Sequence, residues 1–395
     1  MLSIEAVDRR ARGLRPRRAV QAVGAFGFLR RVDIVLLGAV VGIVAYGLRA
    51  IDGITRHDPG GSLASRQALY AVVGGVLLVA VTLIDPLIYR RYKRVIYGGT
   101  LVVMVLVLAT GAVTRGSRRW INLGFFQFQP SEFGKVLFVL CLAGFLVDRS
   151  KRIAEFTVPL TAVALAAAPI GLVFVQPDIG TALGYTAALA AVLFTGGVRW
   201  AHLAVIGTVA LAVVLAVLWL LPAAGVNVLK PYQAARLTGF THPGSDPRGA
   251  NYNIEQSITA VGAGGLRGRG VVGATQTRLD YLPEHATDFA FASLAEQRGF
   301  LGASLLLLLY LLVVWRGLKI VAGASDPYSA AVAGGLVFAF LFQVYVNVGM
   351  AIGIAPITGI PLPFVSVGGS SMITNLVAVG ILQAIHVRGG RRRGV

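Results

Sequence analysis

Ten apolar runs, each roughly the length of a bilayer crossing, constrain this chain more than any other feature. They lie near 32–50, 67–85, 95–113, 131–148, 157–175, 180–198, 202–222, 299–318, 328–349 and 366–387. A helix of about 20 apolar residues spans the hydrocarbon core. Lipid offers no partner to backbone N–H and C=O groups, so such runs are expected to be helical. Only Gln176, Pro177 and Asp178 part the fifth run from the sixth. Charged residues make up 13% of the chain, against roughly 25% in soluble domains. The mean hydropathy of +0.75 agrees with lipid as the solvent. The expected fold class is an all-α integral membrane protein. It has about ten transmembrane helices and one large extracellular loop between helices 7 and 8.

The net charge of +19 would suggest nucleic acid in a soluble protein. Here the basic residues sit at the ends of apolar runs, which is a topology signal and disfavours nucleic acid as a partner. Residues 1–31 carry Arg9, Arg10, Arg12, Arg15, Arg17, Arg18, Arg30 and Arg31. No small-residue cleavage site follows the first run, so the segment reads as a basic tail on anionic membrane lipid rather than a signal peptide. Alternate connections carry Arg90, Arg91, Lys93 and Arg94, then Arg149, Lys151 and Arg152, then Arg199, then Arg316 and Lys319. With ten spans these fall on one side, which places both termini in the cytoplasm. The domain reading is a basic tail at 1–31, a transmembrane domain at 32–387 with an external loop at 223–298, and a basic tail at 388–395. The one cysteine, Cys141, excludes an intrachain disulfide.

Five polar constellations interrupt this pattern. Arg115, Arg118 and Arg119 fall on the external side, against the charge rule, beside Trp120. Arginine binds diphosphate well, but an amphipathic interfacial helix with snorkelling arginines fits equally. Glu132 and Lys135 lie three apart on one helix face, as an ion pair or as the polar lining of a substrate groove. Asp178 follows Pro177 at a helix break, where it either caps the next helix or faces a cavity. Pro283 is suited to a first helical turn, from which a helix would run into the eighth span with Glu284 and Asp288 on one face. A carboxylate beside Phe289 and Phe291 is a candidate general base. An acidic helix start favoured by the helix dipole is the plainer alternative. Asp280, Glu284 and Asp288 together also suggest a divalent cation site, for magnesium or manganese. Last, Pro356, Pro361 and Pro363 with Ser366, Ser370 and Ser371 break helicity at a membrane boundary. Such backbone survives only when buried in protein or lining a cavity.

Read together, four blocks resemble the SEDS family (shape, elongation, division and sporulation). They are Arg118-Arg-Trp-Ile-Asn-Leu-Gly with Gln129-Pro-Ser-Glu-Phe-Gly-Lys135, then Gln176-Pro-Asp-Ile-Gly-Thr181, then Gln256-Ser257 through Leu282-Pro-Glu-His-Ala-Thr-Asp-Phe289, and the Pro356–Ser371 loop. They occur in family order. Gly273-Ala-Thr-Gln276, Asn347-Val-Gly-Met350 and Pro356-Ile-Thr-Gly359 look closer to the elongation (RodA-type) branch than to the division (FtsW-type) branch. There are departures. His285 stands one place early against the family's Pro-Glu-x-His-Thr-Asp, which leaves Asp288 aligned. Val367 replaces a usual tyrosine, and Glu296-Gln-Arg298 a more acidic segment.

The resemblance implies a peptidoglycan glycosyltransferase of the bacterial cytoplasmic (inner) membrane. It would polymerise lipid II on the outer face during elongation, beside a class B penicillin-binding protein and other elongation machinery. Asp288 is then the expected catalytic base. Arg118, Arg119, Trp120, Gln129, Glu132, Lys135, Asp178, Gln256, Ser257, Glu284, Ser366 and Ser370 are the expected substrate-binding residues. A transporter of lipid-linked precursors, an FtsW-like division or sporulation role and a non-catalytic scaffold are the alternatives.

Overall fold

The computed structural model describes residues 31–389 except 57–61, 115–116, 123–126, 227, 230–233 and 235–249. The basic tails at 1–30 and 390–395 and much of 223–249 therefore lie outside the described residues. From Asp33 onward the chain builds ten apolar helices. They are α1 (Ile34–Thr55), α2 (Ala64–Leu83), α3 (Lys93–Thr110), α4 (Pro130–Asp148) and α5 (Thr157–Val175), followed by α6 (Ile179–Thr195), α7 (Trp200–Ala223), α8 (Ala290–Gly323), α9 (Pro327–Ala351) and α10 (Gly369–Gly389). Among the described residues nine of these are long and apolar enough to cross a membrane, and α6 is a shorter tenth.

Local chemistry sets the boundaries. Asp178 and Asp326 cap α6 and α9 by accepting the amides of Thr181 and Ser329. Pro130 and Pro327 open α4 and α9, where a missing N–H costs nothing. The core is central rather than layered. In α4, 83% of the apolar window is buried, and in α7 none is, so α4 is the axis of the bundle and α7 faces lipid. Close approach replaces hydrophobic drive where lipid is the solvent. A Cβ at Gly380 would lie 2.7 Å from the Leu78 carbonyl, so α10 packs backbone to backbone on α2. At one membrane face Arg316 of α8 forks onto Asp33 (2.6 and 2.8 Å), while Gln383 of α10 bonds both backbone groups of Asp33.

Three expectations need correction. Residues 112–128 do not form an interfacial helix. Their described part is a small antiparallel sheet of β1 (Ala112–Thr114), β2 (Ser117–Asn122) and β3 (Gln127–Phe128), in the order β1-β2-β3. The eighth helix begins at Ala290, earlier than its apolar run, and turns at Gly299 through φ +65°. No helix starts at Pro283: residues 283–289 are a chain of turns, and Glu284 is left-handed at φ +55°.

Candidate active site

The 283–289 turn is held from outside. Of its carbonyls only that of Phe289 enters the α8 ladder, accepting from Ser293 N. Those of His285 to Asp288 go to other partners, one by one. His285 O accepts from Ser293 Oγ (3.1 Å) and Ala286 O from Val367 N (2.9 Å). Thr287 O accepts from Ser366 Oγ (2.5 Å) and Asp288 O from Asn347 Nδ2 (2.9 Å). Within the turn, Glu284 O accepts from Thr287 N and Phe289 N. Four consecutive carbonyls committed in this way fix the backbone under Asp288. Its side chain is half-buried, and a Cβ at Gly359 would come within 3.4 Å of Asp288 Oδ2.

The 356–368 loop is irregular and largely buried, as its prolines foretold. Ser366 also accepts from Leu362 N (2.8 Å), so one hydroxyl closes its own loop and binds the Asp288 turn. Gln67 of α2 spans the same loop, donating to Ser366 O and accepting from Gly368 N. Tyr310 of α8 donates to Pro363 O.

On its other side this loop meets the start of α6. A Cβ at Gly180 would lie 2.3 Å from the Thr358 carbonyl, so only glycine admits this approach. Beside it, Asp178 is both cap and ion-pair partner. It accepts from Thr181 N (3.0 Å), Thr181 Oγ1 (2.9 Å) and Gln129 Nε2 (3.0 Å), and pairs with Arg119 at 3.1 Å. Arg119 Nε is buried with no partner among the described residues. Ser370 accepts from Gln129 N and donates to Gln127 O, tying α10 to β3. The loop from Thr358 to Ser366 thus meets the start of α6 at Thr358 and the Asp288 turn from Gly359 to Ser366.

Glu132 and Lys135 pair at 2.8 Å within α4, both buried. Glu132 Oε2, Gln343 Oε1 and Thr374 Oγ1 are buried beside them without partners among the described residues, and all three residues line one cavity.

Not every expected residue faces this region. Ser257 is fully buried and donates to Ala351 O, so it joins the helix Ala250–Ala263 to α9. Gln256 and Trp120 are half-buried, and the Arg118 side chain lies outside the described residues. The three-carboxylate metal site does not form. The Asp280 side chain is 73% exposed and lies 3.5 Å from His285 Nδ1, while Glu284 Oε2 accepts from Thr287 Oγ1. Among the described residues no group of three His, Cys, Asp or Glu is placed to hold a metal ion. A helix would have put Glu284 and Asp288 on one face; the turn sends them apart.

Sequence reading missed Asn347 as a support of the turn and Gln67 as a support of the 356–368 loop, and it missed Glu296. Glu296 is fully buried and accepts from Gln276 N, Thr277 N and Thr277 Oγ1. A buried amide or carboxylate in an apolar helix is itself the signal that would have found them.

The fold is that of a multi-pass membrane protein, and the comparisons name its family. Residues 29–389 match the family model described as the cell cycle protein family of FtsW, RodA and SpoVE, and the chain belongs to that family. It is 36% identical to stage V sporulation protein E of Bacillus subtilis, over 89% of this chain and 94% of the relative. It is also 36% identical to the peptidoglycan glycosyltransferase MrdB of Escherichia coli, over 90% and 93%. Among solved structures, one from work on coordinated polymerization and crosslinking by a peptidoglycan synthase complex aligns with TM-score 0.77 and 31% identity, covering 91% of this chain and 98% of that one. The rod shape determining protein RodA of Thermus thermophilus aligns with TM-score 0.65 and 27% identity, over 92% and 98%.

Proposed function

We infer that this peptidoglycan glycosyltransferase extends glycan strands at the Asp288 turn, using lipid II on the outer face of the bacterial cytoplasmic membrane. The observation that carries the reading is the commitment of the carbonyls of His285, Ala286, Thr287 and Asp288 to partners outside the turn's own hydrogen-bond ladder. A base must hold its place relative to the proton it removes, and this backbone is fixed on both flanks.

A sugar hydroxyl is a poor nucleophile at neutral pH, so its proton must leave as it attacks. Asp288 accepts that proton from the incoming lipid II sugar. The sugar oxygen forms a bond to the anomeric carbon of the growing strand. The bond from that carbon to the diphosphate breaks, and undecaprenyl diphosphate leaves with the electron pair. Arg119 stabilises the charge that builds on the diphosphate. Its pairing with Asp178 orients the guanidinium without consuming all its donors. Gln129, Glu132, Lys135, Glu284, Ser366 and Ser370 shape and brace the groove. No step here passes through a metal ion, since Asp280, Glu284 and Asp288 are turned apart.

The Asn347-Val-Gly-Met350 and Pro356-Ile-Thr-Gly359 segments favour an elongation role over division or sporulation. A class B penicillin-binding protein would supply the cross-linking, and the arginine distribution supports cytoplasmic termini. Purified chain incubated with labelled lipid II tests the reading. Glycan polymer supports it. Translocation of lipid II between leaflets of a vesicle without any polymer would favour a transporter instead.

A further inference from the structure

At the membrane face opposite Asp288, α3, α4 and α5 enclose a second cavity of about 300 Å³. The residues from Pro130 to Arg149 separate the two faces by roughly 28 Å of helix. The mouth carries Lys93, Arg94 and Arg149 against a single carboxylate, Asp148. That carboxylate is already shared by Lys93 and Arg90. Arg94 and Arg149 have no carboxylate partner among the described residues, and Arg149 lies over the Phe145 ring at 4.0 Å. The deeper walls are apolar: Phe138, Leu142, Phe145 and Leu165. Tyr97 donates to Leu165 O at 2.7 Å and so ties α3 to α5. Only 11% of the apolar window of α3 and 33% of that of α5 is buried, so a lipid has sideways access.

We propose that this cavity binds one anionic phospholipid of the leaflet on that face, distinct from the lipid-linked substrate. Its phosphate meets Arg94 and Arg149, and the start of an acyl chain lies along Phe138, Leu142 and Leu165. The two halves of the cavity match the two halves of such a molecule. Guanidinium groups bind phosphate through paired N–H donors, and basic pockets between membrane helices on the cytoplasmic side take anionic headgroups. A soluble phosphate would use the mouth alone and leave the apolar walls empty. Loose attraction of anionic lipid to every surface arginine is a different thing. It neither saturates at one molecule nor depends on the cavity.

The test is native mass spectrometry of the full chain released from bilayers of phosphatidylglycerol and phosphatidylcholine in equal amounts, with thermal unfolding in parallel. The wild type is expected to retain one phosphatidylglycerol in preference to phosphatidylcholine, and to melt a few degrees higher when phosphatidylglycerol is present. An Arg94→Gln, Arg149→Gln double variant and a cavity-filling Leu165→Trp variant should both lose the preference and the shift, while still polymerising lipid II. The charge variant lies at the helix ends, and if Leu165→Trp folds poorly, a folded charge variant that keeps the preference overturns the proposal. Equal retention of the two lipids by the wild type overturns the proposal. So does a folded Leu165→Trp variant that keeps the preference, which would mean surface charge alone. Equal stabilisation by soluble glycerol phosphate would replace the lipid with a small anion and overturn it too.

Discussion

The side-chain amide nitrogen of Asn347 holds the backbone carbonyl of Asp288 at 2.9 Å, and the same nitrogen reaches Ile360 O at 2.8 Å. One side chain of α9 therefore locks the Asp288 turn to the 356–368 loop. Leucine at this position would strand two carbonyls, at about 1–3 kcal/mol for a buried unsatisfied group. Asn347→Leu is expected to melt lower than the wild type and to lose most of its polymerising activity even at temperatures where it is folded. Full activity in the folded variant would show that Asn347 does not position Asp288.

The Glu132–Lys135 pair makes a separate energetic prediction. Both side chains are buried, and removing one partner leaves an uncompensated charge. Lys135→Met is expected to cost about 3–5 kcal/mol. Glu132→Gln combined with Lys135→Met should recover part of that loss in a thermal unfolding series. A double variant no better than the sum of the singles would mean that the pair does not act as a unit.

Gly359 is predicted to be intolerant for two reasons at once. Its φ of +70° disfavours any side chain, by roughly 1–2 kcal/mol, and a Cβ would sit in van der Waals contact with Asp288 Oδ2, at 3.4 Å. Gly359→Ala should lower turnover more than it lowers the melting temperature. A fall confined to stability would place the residue in the scaffold only.

Much of this was legible in the sequence for a simple reason. Span length and burial of backbone polar groups dominate in lipid, so the ten runs became ten helices, with only the eighth beginning well before its run, at Ala290. Asp178 and the Glu132–Lys135 pair were legible because a carboxylate after proline and opposite charges three apart have few alternatives. The turn at 283–289 was not legible. Pro283 followed by acidic residues is a good helix start locally, but Ser366, Val367 and Asn347 claim the carbonyls of that turn from far along the chain. The 112–128 sheet was hidden because its arginines and aromatics suit either an interfacial helix or a hairpin, and only pairing across strands distinguishes them. Among the described residues Asp280, Glu284 and Asp288 do not form a group, because the helix expected from Pro283 does not form.

Topology can be read directly by labelling. With Cys141 replaced by alanine, a cysteine at Ser245 should react with a membrane-impermeant maleimide in intact cells, and one at Ser150 should be protected. The reverse pattern would invert the orientation and put the Asp288 turn on the cytoplasmic side.

The central claim is that Asp288 removes the proton from the attacking sugar, and Asp288→Asn tests it most directly. Asparagine keeps the size and the hydrogen-bonding reach of aspartate but accepts no proton. The bond to Asn347 is made by the backbone carbonyl of this residue, which asparagine leaves in place. Loss of general-base catalysis is worth about 100- to 10,000-fold in rate. The measurement is glycan polymerisation from labelled lipid II by purified wild type and Asp288→Asn, with a melting curve for each. The account predicts matching melting curves and a rate lower by at least about 100-fold in the variant. Near-normal polymer from well-folded Asp288→Asn would contradict it.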